Sequence, residues 1–213
     1  MTAPAARPPI LTRDLLLVFA ASVGAMTGFY LLLSVVPLYA ESVGAGGVGA
    51  GLVTGVLMAT TVAGELAIPR LLARFGHRAL LAAGLVLLGA PALALPVSST
   101  MAAIVAVSAV RGLGFAICVV VGGALVAALV PPERRGEGLG LFGIVVGVPG
   151  VAALPLGVWL VGRAGYPPVF VAGAVAPWPG WPWCPGCPAG GRPPSRPSAS
   201  WPGCAPRHFT GRR

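Results

Sequence analysis

Few side chains in this sequence can do chemistry, and two of them stand inside apolar stretches. Arg111 lies about ten residues into the run that begins at Met101, roughly 15 Å deep at 1.5 Å per residue. At that depth an arginine does not snorkel easily, so it is expected to face a bundle interior or a water-filled path. Ionisable groups inside a membrane are functional candidates by default. Gly112 and Gly114 adjoin it, and a second reading follows from them: a structural arginine bonded to backbone carbonyls where two helices cross closely. Glu65 lies about one turn inside the end of an earlier apolar run. It either titrates or reaches back to Arg70, Arg74 or Arg78. A direct Glu65–Arg111 pair is not expected, because their depths differ by about 9 Å from the helix rise.

The apolar setting of these groups follows from composition. Of the 213 residues, 56% are hydrophobic and 9% charged, whereas charged residues make up about a quarter of an ordinary soluble domain. Mean hydropathy is +0.90. The chain reads as an all-α, polytopic transmembrane helix bundle seated in a lipid bilayer. Its net charge of +9 suggests nucleic acid at first sight, but the arginines mostly flank apolar runs and no aromatic-plus-basic platform accompanies them. No nucleic-acid partner is expected. There is no Ser-His-Asp set, carboxylate pair or phosphate loop, so the sequence does not read as an enzyme and implies no cofactor.

Six apolar segments are expected, at about 14–39, 48–68, 79–95, 101–130, 138–161 and 167–175. The first five are long enough to cross the hydrocarbon, which needs about 20 residues. Between the second and third lies Arg70-Leu71-Leu72-Ala73-Arg74-Phe75-Gly76-His77-Arg78, with three arginines and a histidine. An arginine at the bilayer centre costs about 2.5–3.5 kcal/mol on insertion scales, so this stretch is expected to form a tight aqueous turn. Pro131 and Pro132 end the fourth segment before a second charged turn. Arginines thus gather in the lead, the second turn and the fourth turn, while the intervening turns hold only Arg163. By the positive-inside rule both termini lie in the cytoplasm. The lead before residue 14 runs into too long an apolar stretch for a cleavable signal peptide.

The fifth segment carries Gly138, Gly140, Gly143, Gly147, Pro149, Gly150, Pro155 and Gly157. Small residues allow close helix contact and prolines allow kinks inside membranes. Gly147, Pro149, Gly150, Pro155 and Gly157 therefore mark either a rocking helix or a tightly packed one.

The sixth segment is too short to cross, and a tail rich in Pro, Gly, Arg and Ser follows it. The chain divides into a bundle over 1–177 and this tail over 178–213, which lacks the aliphatic surface to pack and is expected to be disordered. Lys, Asn and Gln are absent from the whole sequence, which points to a very GC-rich gene. Reading from the third base of codon 177 turns Trp178 onward into Leu or Val, Ala, Gly or Arg, Leu or Val, Ala, which completes a helix of spanning length. A frame disruption near codons 176–178 is therefore expected, with an authentic Pro-rich tail as the alternative. Sequencing the gene across this region in independent isolates decides it: an extra or missing base leading into further apolar segments supports the disruption, and an intact frame refutes it. In the tail, Trp183-Cys184-Pro185-Gly186-Cys187 resembles a thioredoxin-type site, and Cys184, Cys187, Cys204 and His208 have zinc-ligand spacing. The prolines exclude the strand-to-helix setting that redox chemistry needs, and Pro, Gly and Ser supply no framework for zinc. No metal site is expected. Cys118 reads as a small packing residue.

Six segments, a basic turn between the second and third and an arginine deep in the fourth together resemble the N-terminal half of a major facilitator superfamily transporter. The family's turn runs Gly, three residues, Asp, Arg, any, Gly, Arg, Arg. Arg74, Gly76 and Arg78 match it; Pro69 stands for the first Gly, Ala73 for the Asp and His77 for one Arg. Arg111-Gly112-Leu113-Gly114-Phe115-Ala116 resembles the family's fourth-helix motif without its Gln. The glycines and prolines of the fifth segment resemble the antiporter motif loosely. The resemblance covers about residues 13–177. It implies a transporter in the plasma membrane for proton-coupled efflux of a small molecule, with Arg111 in the coupling site and the turn residues Arg70, Arg74, Gly76, His77 and Arg78 at a cytoplasmic gate. It also implies a truncated half that needs either the missing C-terminal half or a homodimer partner. A membrane protein that does not transport, with a partner- or metal-binding tail, is the alternative.

Overall fold

In a computed structural model the described residues are 12–178; the expectations for the first residues and for the tail from 179 lie outside them. Helix α1 (Arg13–Ala40) is capped by Thr12, whose Oγ1 accepts from the Leu15 amide at 3.3 Å. Asp14 in its first turn complements the helix dipole. A π-helical turn, Glu41–Ala45, reverses the chain with Gly44 and Gly46 at positive φ. Helix α2 (Gly46–Gly89) follows, then a 3₁₀ segment (Ala90–Ala94), α3 (Met101–Leu129), a 3₁₀ turn (Pro132–Arg134), α4 (Arg135–Ala164) and the short α5 (Tyr166–Val175). There is no strand among the described residues.

Helix α2 contains two of the expected segments. It breaks at Gly76, where φ 75° and ψ 166° describe a conformation essentially confined to glycine. The basic stretch is therefore not a nine-residue turn. Helix continues through Arg70, Arg74 and Phe75, and one glycine reverses the chain. The reason is local: every residue from 70 to 75 tolerates helix, and only Gly76 tolerates the reversal. The second limb of α2 has 13 helical residues and would fall short of the bilayer, but the five 3₁₀ residues rise faster and bring it to about 30 Å. That matches the hydrocarbon thickness. With α1, α3 and α4 at 28, 29 and 30 residues, five limbs can cross. The sixth, α5, has 10 residues.

The core is stacked in three layers along α1. Leu15, Val18 and Phe19 pack near its start with Val126, Val130 and Phe142. Ala25, Met26 and Phe29 pack in the middle with Leu57, Leu85, Leu88 and Ala116. Leu32, Val35 and Val36 pack toward its end with Val53, Leu95, Ile104 and Phe170. Helix α1 is thus the axis, and α3 lies between the two limbs of α2. The outer faces are apolar as well. Val48 and Leu66 on α2 and Ile144, Val148 and Val151 on α4 are all more than half exposed, as expected where lipid or another helical body replaces water.

Candidate functional site

Arg111 is fully buried near the middle of α3. Two close crossings put it there. A Cβ on Gly112 would collide with the Leu57 carbonyl and Thr60 Oγ1 of the first α2 limb. A Cβ on Gly114 would lie 2.6 Å from the Leu88 amide and 2.9 Å from the Gly84 carbonyl of the second limb. Two glycines therefore let α3 lie against both limbs, and Thr61 Oγ1 fastens the first by donating to the Gly112 carbonyl at 3.2 Å.

From this position the guanidinium reaches two different helices. Arg111 Nε donates to the Leu88 carbonyl and Nη2 to the Phe29 carbonyl, each at 3.3 Å. Leu88 precedes the 3₁₀ segment, whose i+3 bonding would offer its carbonyl the position of Pro91, and proline has no N–H. The arginine supplies that carbonyl with a side-chain donor. Its charged carbon also lies 5.8 Å from the centre of the Phe29 ring, within cation–π range, and that ring stacks on Phe115 at 3.9 Å. Nη1 has no partner. Arg111 borders a cavity of about 10 Å³ with Pro37, Val53, Thr54, Leu57 and Ser108 among its walls.

A family model for the Major Facilitator Superfamily matches residues 18–180. The chain belongs to the major facilitator superfamily. It is therefore a multi-pass membrane protein of the major facilitator transporter type, a family of transporters rather than enzymes. No curated protein matches it.

The other residues expected of a major facilitator site are dispersed. Arg70, Arg74, His77 and Arg78 are exposed around the Gly76 reversal, and the Arg74 guanidinium lies 5.5 Å from the Phe75 ring. Glu65 is exposed on the first α2 limb and makes no ion pair among the described residues, whereas Arg134 and Glu137 pair at 2.7 Å. The α4 positions split into two sets. Pro149, Gly150 and Gly157 are buried. A Cβ on Gly150 would meet the Tyr30 ring at 3.2 Å, and one on Gly157 would meet the Leu31 carbonyl at 2.7 Å and Ser34 Oγ at 2.8 Å. Ser34 Oγ also donates to the Leu154 carbonyl at 3.0 Å, tying α1 to α4. Gly147 and Pro155 face outward, and nothing lies within 4 Å of a Cβ built on Gly147.

No group of three metal-ligating side chains occurs among the described residues; the tail cysteines lie outside them. Cys118 is buried and lines a second small cavity with Ser22, Met26, Leu85 and Phe142. Sequence reasoning missed Ser108, Phe29 and Leu88 as parts of the site. Ser108 had a readable signal, standing three residues before Arg111 and hence on the same helix face. Leu88 acts through its backbone carbonyl, and Phe29 through its carbonyl as well as its ring; a carbonyl has no side-chain signature. Pro91, which has no N–H to offer at i+3 of Leu88, was the only hint.

Proposed function

We propose that the chain works in proton-coupled efflux of a small molecule across the plasma membrane, both termini in the cytoplasm, with Arg111 in the substrate and coupling path. One observation carries this reading: a fully buried arginine held by carbonyls of two helices, with one nitrogen left unpartnered beside a cavity. A purely structural clasp would use its donors on the scaffold. A guanidinium keeps its proton at neutral pH, so Arg111 does not relay protons. It couples by setting which charge state is favoured next to it. A carboxylate close to it is held ionised, and a neutral or cationic group is disfavoured.

Rocking access around a midplane site needs two opposed bundles. The apolar outer faces of the first α2 limb and α4 fit a second six-helix body, either the remainder of a longer chain or a second copy. The exposed arginines around Gly76 would then gate the cytoplasmic side. The test uses membrane vesicles preloaded with an amphiphilic fluorescent dye under an imposed pH gradient. Flux is expected to follow the gradient and to stop when a protonophore dissipates it. Flux at the rate of empty vesicles, or flux indifferent to the protonophore, overturns the reading.

A further inference from the structure

We propose that the cavity beside Arg111 is an anion site, where one negatively charged atom completes the coordination of Arg111 Nη1. The inference stands on the geometry around Arg111 and does not require transport.

Charge balance is the first support. All five acids of the sequence are Asp14, Glu41, Glu65, Glu133 and Glu137. None lines the cavity, and Glu65, the one within an apolar span, is exposed on another helix. Arg111 is 0% exposed. Two carbonyl dipoles offset part of its charge, yet a buried charge without a counter-charge is costly. No acid among the described residues supplies that counter-charge.

The free donor is the second support. A guanidinium carries five N–H groups in a fixed fork, and the pair on Nη1 is unused. Ser108 lies one helical turn before Arg111 on α3 and shares the cavity wall with Thr54. Their hydroxyls now donate to their own helices, Ser108 Oγ to the Ile104 carbonyl at 2.9 Å and Thr54 Oγ1 to the Ala50 carbonyl at 3.2 Å. Each can turn its proton into the cavity toward an anion, since a hydroxyl hydrogen rotates to suit its neighbours. The remaining wall of Pro37, Val53 and Leu57 is apolar and would keep bulk water away.

Size sets the ligand. A cavity of about 10 Å³ has room for at most about one small atom, so the occupant is a single anionic atom: one oxygen of a carboxylate, or a halide for which the side-chain walls give slightly. A water fits the space too, but it answers one N–H and leaves the charge uncompensated.

The experiment uses the full chain in lipid nanodiscs, at fixed ionic strength and pH, with sodium gluconate replaced by sodium chloride, bromide or formate. The unfolding midpoint is read. Gluconate, bulky and hydrated, serves as the excluded reference. Chloride and bromide are expected to raise the midpoint by about 3 °C at a concentration well above their dissociation constant. Thr54→Asp, which places a carboxylate in the cavity wall, is expected to fold and to lose this dependence. Arg111→Gln is expected to lose it as well. A shift with formate but not with halides assigns the site to a carboxylate on a transported molecule. Equal midpoints for the wild type in all four salts overturn the proposal and leave a water beside Nη1, as does a halide shift that persists in Arg111→Gln. The wild-type series needs no variant to fold and no flux to be measured, so its failure is separate from failure of the transport reading.

Discussion

Arg111→Leu is expected to cut proton-driven flux by about 100-fold or more while leaving the bundle within about 2 kcal/mol of the wild type. Two opposed terms set the stability. Removing the guanidinium relieves the desolvation of a charge that has no acid beside it, and replacing buried ionic groups with apolar ones of similar volume is often neutral or stabilising. Against this, the Leu88 and Phe29 carbonyls each lose a charged donor, which costs about 1–3 kcal/mol. The terms are similar in size, so the fold survives. Flux has no such compensation, because an apolar side chain cannot bias the charge of its neighbour. Arg111→Lys separates charge from geometry: an ammonium keeps the charge but lacks the planar fork that spans Leu88 and Phe29. The measurement is dye flux together with the unfolding midpoint. If Arg111→Leu transports like the wild type, or if the bundle collapses without it, Arg111 is a structural clasp, the other role that its flanking glycines suggest.

The spans, their order and the deep arginine were legible in the sequence because a bilayer imposes length and polarity so strictly. Hydropathy finds limbs of about 20 residues, and charge finds the bends. It locates them less sharply, since a membrane-surface arginine is content in a helix or a turn. Arg70 and Arg74 accordingly stay helical, and the reversal narrows to Gly76. Hydropathy also says nothing of 3₁₀ geometry, yet the Ala90–Ala94 segment lengthens the third limb and leaves the Leu88 carbonyl for Arg111. The partners of the arginine were invisible for a related reason. They are backbone oxygens distant in sequence, selected by how closely helices cross and not by side-chain type. The α4 pattern shows the same limit, for glycine spacing did not say that Gly157 meets α1 while Gly147 meets nothing.

Gly114→Val is expected to destabilise the bundle by about 3 kcal/mol or more. The atoms in the way are all main chain. A Cβ at 114 would stand 2.6 Å from the Leu88 amide nitrogen and 2.9 Å from both the Gly84 carbonyl oxygen and the Leu87 carbonyl carbon. No rotamer change clears them, so α3 and the second α2 limb must separate. Gly84 makes the same contact tight from the other side, its own Cβ position lying 2.7 Å from Ile117 Cγ2. Separation draws Leu88 away from Arg111 and breaks the 3.3 Å bond to its carbonyl. Flux should therefore fall with stability, unlike in Arg111→Leu, where flux falls alone. Gly147→Val is the control on α4. It adds the same side chain where nothing lies within 4 Å, and its effect is expected to stay within about 0.5 kcal/mol. Both are read as unfolding midpoints in nanodiscs. If Gly114→Val proves as stable as Gly147→Val, the second limb of α2 does not meet α3 at Gly114. The reach of Arg111 to Leu88 would then lose its basis.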